Sequence, residues 1–399
     1  MTVGDKYHIA VVNSHPIQYF APLYRYLNRN SDIDVTALYC SDFSLRGGKD
    51  PGFGQNVQWN VDLLSGYRSI FLGARATKRV PGGFFSLICP EVWREVRSGH
   101  YDAVCLHGYA YAANVLAFLA AKSCGASVFL RSETHLKLLR SSFRRRLRDG
   151  FLRIAYKFVD GFLAIGTENR AYYQSLGVPD EKIFDVPYTV DNDRFVGEAR
   201  EAMARREMLR AKYGVTDDWP VILYASKFMR RKNPDCLIRA AARLRDDGVP
   251  VSILMVGTGE MADELQALVH QLQLDHVVFT GFVNQAELPE IYVISDVFVL
   301  PSANEPWGLI VNEAMCAGLP IVASAEIGCV SDLVKDGVNG AHVEAGNVES
   351  LANALKRIVS DDALRQQMGN ASIKIIEKWS YAQCEAGWRR ALECCVGKR

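Results

Sequence analysis

The residues of this 399-residue chain whose types and spacing best suit chemistry are two glutamates, Glu305 and Glu313, and two lysines, Lys227 and Lys232. The glutamates lie in the stretch from Asp296 to Ser324, DVFVLPSANEPWGLIVNEAMCAGLPIVAS. It opens as an apolar, β-branched strand halted by Pro-Ser and closes as a second short strand, PIVAS, with Pro at its mouth. Between the two, the pattern predicts a loop and then a helix from about Gly308 to Ala317 and Gly318. Glu305 then precedes the helix and Glu313 lies within it. The N-terminal N–H groups near Gly308 and Leu309 fall between them and favour anions, phosphate above all. Carboxylates accept strong hydrogen bonds from hydroxyls, so the segment suits a ligand with phosphate in its middle and hydroxyls on either side. A sugar nucleotide is built that way. A solvated loop glutamate and an exposed helical one are the ordinary alternative, which spacing alone does not exclude.

Elements that could position these residues are legible on both sides. From Tyr7 to about Val190, short apolar runs (HIAVVN, IDVTALY, SIFLG, DAVCLH, SVFLR, DGFLAIG, KIFDV) alternate with helical stretches around 22–28, 90–97, 112–123, 143–160 and 168–176. Alternation of this kind implies parallel βαβ units and a doubly wound sheet. A stretch from Asp191 to Asp217, a charged helix by its pattern, reads as the linker. A second alternation follows from Pro220, with PVILYAS, VSILMVG, HVVFTG, DVFVLP and PIVAS as strands. Helices alone are expected beyond Leu351. Ligands of open α/β sheets bind beyond the strands' C-terminal ends. The loop after PVILYAS carries Lys227, Arg230, Arg231 and Lys232; the two arginines read as a solvated turn and the two lysines as phosphate ligands. Gly257 to Glu260 follows the next strand and is too short for a dinucleotide fingerprint. Gly281, Phe282 and Val283 follow the one after.

In the first half, His15 after the first strand, His107 after the fourth and Glu133 after the fifth are candidates to line a cleft. From Lys137 to Lys157 there are eight basic residues and one acidic, in a chain whose total charge is +1. Phe143, Leu147, Phe151, Ile154 and Phe158 fall at helical spacing there, and packing on the sheet is the expected use of that stripe. The arginine face could also dock on anionic lipid.

Composition bounds the rest. With 49% hydrophobic and 23% charged residues the chain can bury two cores. The near-neutral total points to no nucleic acid partner, and no apolar run reaches the roughly 18 residues of a spanning helix. The start lacks the features of a secretory signal, so the cytoplasm is the expected place. Ten cysteines without a C-x-x-C pair indicate neither a disulfide frame nor a zinc site.

The segment EPWGLIVNEAMCAGLP, Glu305 to Pro320, resembles the E-x7-E signature of the retaining GT-B glycosyltransferases of family 4, with Trp307 and Cys316 in place of the commoner Phe and Ala. Lys227 and Lys232 resemble the basic pair of that family's G-R-L-x-x-x-K-G segment, and Gly281 to Val283 its G-F/Y-V turn near the nucleobase. Gly328 to Asp332 departs from the usual Gly-Gly-x-x-Glu. SHPIQYFAPLYR, from Ser14, is similar to the opening of a subgroup of the family. The resemblance implies two Rossmann-like domains facing across a cleft: an acceptor domain (1–195), a nucleotide-sugar domain (196–378), and a C-terminal helix (379–399) crossing back to the first. It implies retaining transfer from a nucleoside-diphosphate sugar to a glycan, lipid-linked or small-molecule acceptor, without a metal or other cofactor. Glu305, Lys232 and Lys227 would serve catalysis, and Glu313 would hold the ribose. The basic stretch could then meet the inner face of a membrane. A GT-B sugar-nucleotide epimerase and a degenerate, non-catalytic binding subunit are the alternatives; the first would act on the donor without an acceptor, and intact Glu305, Glu313 and Lys232 speak against the second.

Overall fold

The computed structural model describes residues 6–50, 52, 54–73, 76, 79–138, 143–215 and 218–397. The chain divides into two compact units. One takes the chain up to Gly48, Val61–Thr189 and the chain from Tyr381 on; the other takes Lys49–Asn60 and Val190–Ser380.

In the first unit, β1 (Tyr7–Asn13), β2 (Ile33–Tyr39), β3 (Arg68–Phe71), β4 (Ala103–His107), β5 (Ser127–Arg131), β6 (Gly161–Ala164) and β7 (Ile183–Asp185) form one parallel sheet in the order β3-β2-β1-β4-β5-β6-β7. The last five residues of β1 are all buried, as a central strand covered on both faces requires. Helices α1 (Ala21–Asn30), α2 (Glu91–Ser98), α3 (Ala112–Cys124), α4 (Phe143–Ala155) and α5 (Thr167–Ser175) connect the strands. Alanines 113, 117, 120 and 121 form the inner face of α3. The helix stops where Gly125, at φ 77°, returns its N–H to the Ala121 carbonyl.

The basic helix α4 does not bury the stripe expected to pack. Leu152 and Tyr156 face the core instead, 3% and 6% exposed, whereas Leu147, Phe151, Ile154 and Phe158 are all exposed. Aromatic packing supplies the reason: the Tyr156 ring closes to 5.0 Å from Phe162 and 6.3 Å from Tyr173, which sets the helix's rotation. The side chain of Phe143 and residues 139–142 of the basic stretch lie outside the described residues.

In the second unit, β8 (Val221–Ala225), β9 (Ser252–Val256), β10 (Val277–Gly281), β11 (Val297–Leu300), β12 (Ile321–Ser324) and β13 (Gly340–Val343) pair in parallel in the order β10-β9-β8-β11-β12-β13. The edge strand β13 is absent from the sequence reading because the run GAHV combines a glycine with an exposed histidine. The charged linker is helical as read, in two helices, α6 (Asn192–Met203) and α7 (Arg206–Lys212). Residues 216 and 217 at its end lie outside the described residues. Asp191 caps α6 by accepting from the Arg194 N–H, so its carboxylate is used locally. The unit continues through α8 (Pro234–Asp246), α9 (Ala262–Gln271), α10 (Leu288–Val293), α11 (Leu309–Cys316), α12 (Val348–Val359) and α13 (Asp362–Ile376). The final helix, α14 (Tyr381–Cys395), belongs to the first unit and packs on β6 and β7. It approaches so closely that a Cβ on Gly387 would lie 2.0 Å from the Asp185 carbonyl oxygen.

Residues 54–60 form a strap unforeseen in the sequence. Asn284 donates to the Gln58 carbonyl at 2.8 Å, and the Asn60 side chain accepts from the Ala286 N–H at 3.2 Å. The Trp59 ring lies 6.2 Å from that of Phe282.

Strand order reverses between β1 and β4 in one sheet and between β8 and β11 in the other. Loops leaving neighbouring strands in opposite directions open a crevice at such points.

Candidate functional site

The loops after β8 and β11 are stitched together over the reversal point of the second sheet. After β8, the helical turn Arg230–Lys232 leads through Asn233, at φ 48°, into α8. Asn233 donates to the Pro301 carbonyl at 2.9 Å, and the Ala303 N–H donates to the Arg231 carbonyl at 2.9 Å. These bonds bring Lys232, 7% exposed, into contact with Glu305 Oε2. Arg231 joins them: it donates to the Asn304 carbonyl at 2.8 Å and lies 4.0 Å from the Glu305 carboxylate. Arg230 stays in solvent and pairs with Glu264, as a turn arginine is expected to. Arg231 is therefore a member of the cluster that sequence reasoning set aside; only the distant residues Asn304 and Glu305 identify it.

Burial, with Arg231 and Lys227 as further causes, pulls the Lys232 ammonium down to about 7. The Glu305 carboxylate works against them, and a phosphate arriving at the cluster would do the same.

The glycines after β9 serve this loop. A Cβ on Gly257, at φ 133°, would stand 2.1 Å from the Ser226 carbonyl oxygen. Beside it, the Phe228 N–H donates to the Thr258 carbonyl at 3.0 Å. Gly257 thus acts as a support packed under the lysine loop. Its own N–H donates to the Gly281 carbonyl at 2.9 Å, linking it to the turn with the half-buried Phe282 and Val283.

At the other end, Gly308 takes φ 94° ahead of α11, where a side chain would be strained and would meet Ile327 at 3.2 Å. Leu309 opens the helix and is 8% exposed. Glu313 is wholly buried, and its Oε2 accepts from the Tyr292 hydroxyl at 2.6 Å. Trp307 is also core: its indole N–H donates to Asn312, and its ring lies 5.3 Å from Trp379. The altered segment Gly328 to Asp332 binds through its backbone, with N–H groups of Gly328 and Cys329 donating to the carbonyls of Glu305 and Trp307. Such bonds do not depend on side-chain identity.

In the first unit, a cavity of about 330 Å³ opens at the β1/β4 reversal, lined by Phe20, His107, Tyr109, Arg131 and Glu133 among others. His107 and Glu133 are thus brought together, whereas His15 is not among the lining residues; it pairs with Ser14 and meets Phe43 edge-on. The Tyr188 hydroxyl donates to Glu133 at 2.7 Å. Surrounding protein raises the Glu133 carboxyl pKa, with Tyr188 and Arg131 opposing. Desolvation, with the Arg131 charge adding to it, pulls His107 down to about 3, so its ring is neutral at ordinary pH. Phe20 stacks near both His107 (4.4 Å) and Tyr188 (5.8 Å). A neutral imidazole, a carboxylate and aromatic faces are groups that bind hydroxylated rings. Tyr188 and Phe20 were missed, although each follows a strand end in sequence. Another cavity, of about 450 Å³, lies at the opposite end of the second sheet around Trp219, Arg245 and His276. None of the residues singled out in the sequence lines it. Among the described residues, no three His, Cys, Asp or Glu side chains gather as a metal site.

Comparisons with known proteins bear on this arrangement. The model of the family described as glycosyl transferases group 1 matches residues 205–375. An uncharacterized glycosyltransferase of Methanocaldococcus jannaschii is 37% identical over 43% of this chain and 44% of its own. The chain spans about half the length of several curated relatives it matches. With a GDP-mannose-dependent alpha-(1-6)-phosphatidylinositol monomannoside mannosyltransferase of Mycobacterium tuberculosis it shares 30% identity over 70% of this chain and 71% of that one. Among solved structures, Anabaena HepE in complex with UDP and glucose superposes with a TM-score of 0.71 at 19% identity, covering 96% and 99% of the two chains. Two Rossmann-like parallel sheets with such a neighbour are the GT-B fold. Signature, fold and the long match to the mycobacterial relative agree, and the chain belongs to the glycosyl transferases group 1 family.

Proposed function

We propose that this protein transfers a glycosyl group from a nucleoside-diphosphate sugar to a hydroxylated acceptor, retaining the anomeric configuration. The donor's anomeric C–O bond to phosphate breaks, and a C–O bond to the acceptor forms on the same face. The acceptor's hydroxyl proton passes to the departing phosphate oxygen. Contact of Lys232 with Glu305 across the β8/β11 reversal carries this reading: it sets cations for the diphosphate beside a carboxylate for the sugar hydroxyls. Lys227, Arg231 and the N–H groups at Leu309 add positive charge where the leaving group becomes negative, and preorganised charge of this kind stabilises a transition state. That charge takes the place of a metal, so the reaction needs none. Gly281, Phe282 and Val283 border the nucleobase. Glu313 reaches the ribose by exchanging Tyr292 for a ligand hydroxyl.

The acceptor binds in the first unit, with Glu133 accepting from its hydroxyls and Phe20 and Tyr188 facing its ring. A lipid-linked acceptor suits the name of the mycobacterial relative. Contact with anionic membrane through Lys137 to Lys157, on the cytoplasmic side, belongs to the same proposal. Among the described residues no helix is long and apolar enough to cross a membrane.

Thermal-shift screening with UDP-, GDP-, ADP- and dTDP-sugars identifies the donor, since a ligand of the folded state raises the melting temperature. With that donor, Glu305→Gln and Lys232→Ala each lower the transfer rate about 100-fold or more while circular dichroism stays unchanged. Turnover like wild type in both variants would sink the assignment.

A further inference from the structure

We propose that the outer face of α4 and the cavity between α4 and α5 form a docking site for an anionic lipid bilayer, with a lipid phosphate seated among Arg153, Lys157 and Lys182. It rests on the membrane contact of the proposed function and assigns that contact its residues.

Two observations meet here. Of the fourteen large apolar side chains exposed among the described residues, eleven lie between Val80 and Phe158. Large apolar side chains exposed together on one face mark an interaction site. Four of the eleven fall on α4 and the turn that ends it. Leu147, Phe151, Ile154 and Phe158 follow one another by four, three and four residues, so they share one helix face, each 60–69% exposed.

Beside that face opens a cavity of about 600 Å³. Three cations line it, Arg153, Lys157 and Lys182, and no acidic residue does. Arg153 donates to the Ser175 carbonyl at 3.3 Å and Lys182 to that of Val159 at 3.0 Å. These are single bonds to neutral oxygens, which leave the charges uncompensated. The one acidic residue of α4, Asp149, is engaged by Arg145 and Arg148.

An anionic bilayer satisfies both features together. A second copy of this face would set cations against cations. Nucleic acid would neutralise the cations but leave four large apolar side chains in water. A bilayer with anionic headgroups takes the apolar stripe among its acyl chains and offers phosphate at the depth of the flanking cations, as interfacial helices use both.

The test is co-sedimentation of the full chain with phosphatidylcholine vesicles, with and without phosphatidylglycerol. Wild type binds the anionic vesicles at least about 10-fold more tightly. Lys157→Ala with Lys182→Ala weakens that binding about 25-fold, and Phe151→Ser with Phe158→Ser about 100-fold. All four positions are on or near the surface, and nucleotide-sugar stabilisation in the same samples reports the fold. Equal affinity for both vesicles, or wild-type affinity in either double variant, overturns the lipid site. So does a dimer in sedimentation velocity that the phenylalanine pair abolishes. In the wild type, absence of vesicle binding alongside nucleotide stabilisation overturns the lipid site alone, and vesicle binding without nucleotide stabilisation overturns the donor reading alone.

Discussion

Lys232 is nearly buried, and burial with Arg231 and Lys227 pulls its pKa down to about 7 while the Glu305 carboxylate it touches opposes them, so its charge is conditional. Below that value the ammonium is present and can meet a nucleotide's phosphates. Above it, a diphosphate must bring the proton back. Nucleotide binding therefore takes up a proton above pH 7, and affinity falls as pH climbs from about 7 to 9, by at most about tenfold per unit. Isothermal titration in buffers of different ionisation enthalpy reads both effects. Lys232→Arg, whose guanidinium keeps its charge throughout, shows neither. For folding the sign is reversed. The unfolded lysine holds its proton up to 10.5, so this group adds stability as pH rises from 7 toward that value. In the first unit His107 is neutral across the same range and contributes no such dependence.

At the scale of elements, the lysine loop is held in place by what lies beneath and beside it. Gly257→Ala puts a methyl group onto the Ser226 carbonyl at a φ of 133°. The expected cost is about 3 kcal/mol of unfolding free energy in urea melts, together with weaker nucleotide binding because residues 226–228 must shift. Gly248→Ala is the control: φ is 73° and nothing lies within 4 Å, so it costs about 1 kcal/mol and leaves nucleotide binding alone. The same logic explains why the changed segment at Gly328 is tolerated, since it contributes backbone N–H groups. Helix α4 gives the opposite lesson. Periodicity identifies an apolar stripe but not the side it faces. The tyrosine cluster beneath the helix settled that, by drawing in Tyr156.

At the scale of the molecule, the two units should respond differently to a nucleotide. Hydrogen exchange with a nucleoside diphosphate is expected to slow in residues 226–233, 257–260, 281–284 and 303–313 of the second unit, and not around Glu133 and Tyr188 of the first. Protection centred on the first unit would reverse the assignment of donor and acceptor. The sequence alone determined the alternation of strands and helices, because apolar period and Gly/Pro punctuation are local properties. It thereby placed Lys227, Lys232, Glu305, His107 and Glu133 at strand ends. It left out β13 and the strap at 54–60, where the local signal is weak. Tertiary structure alone decided that Lys232 touches Glu305, that Arg231 joins them, that Tyr188 meets Glu133 and that His15 stands apart. Those contacts depend on which strands become neighbours at the reversal of each sheet, a matter of long-range pairing that no local pattern encodes.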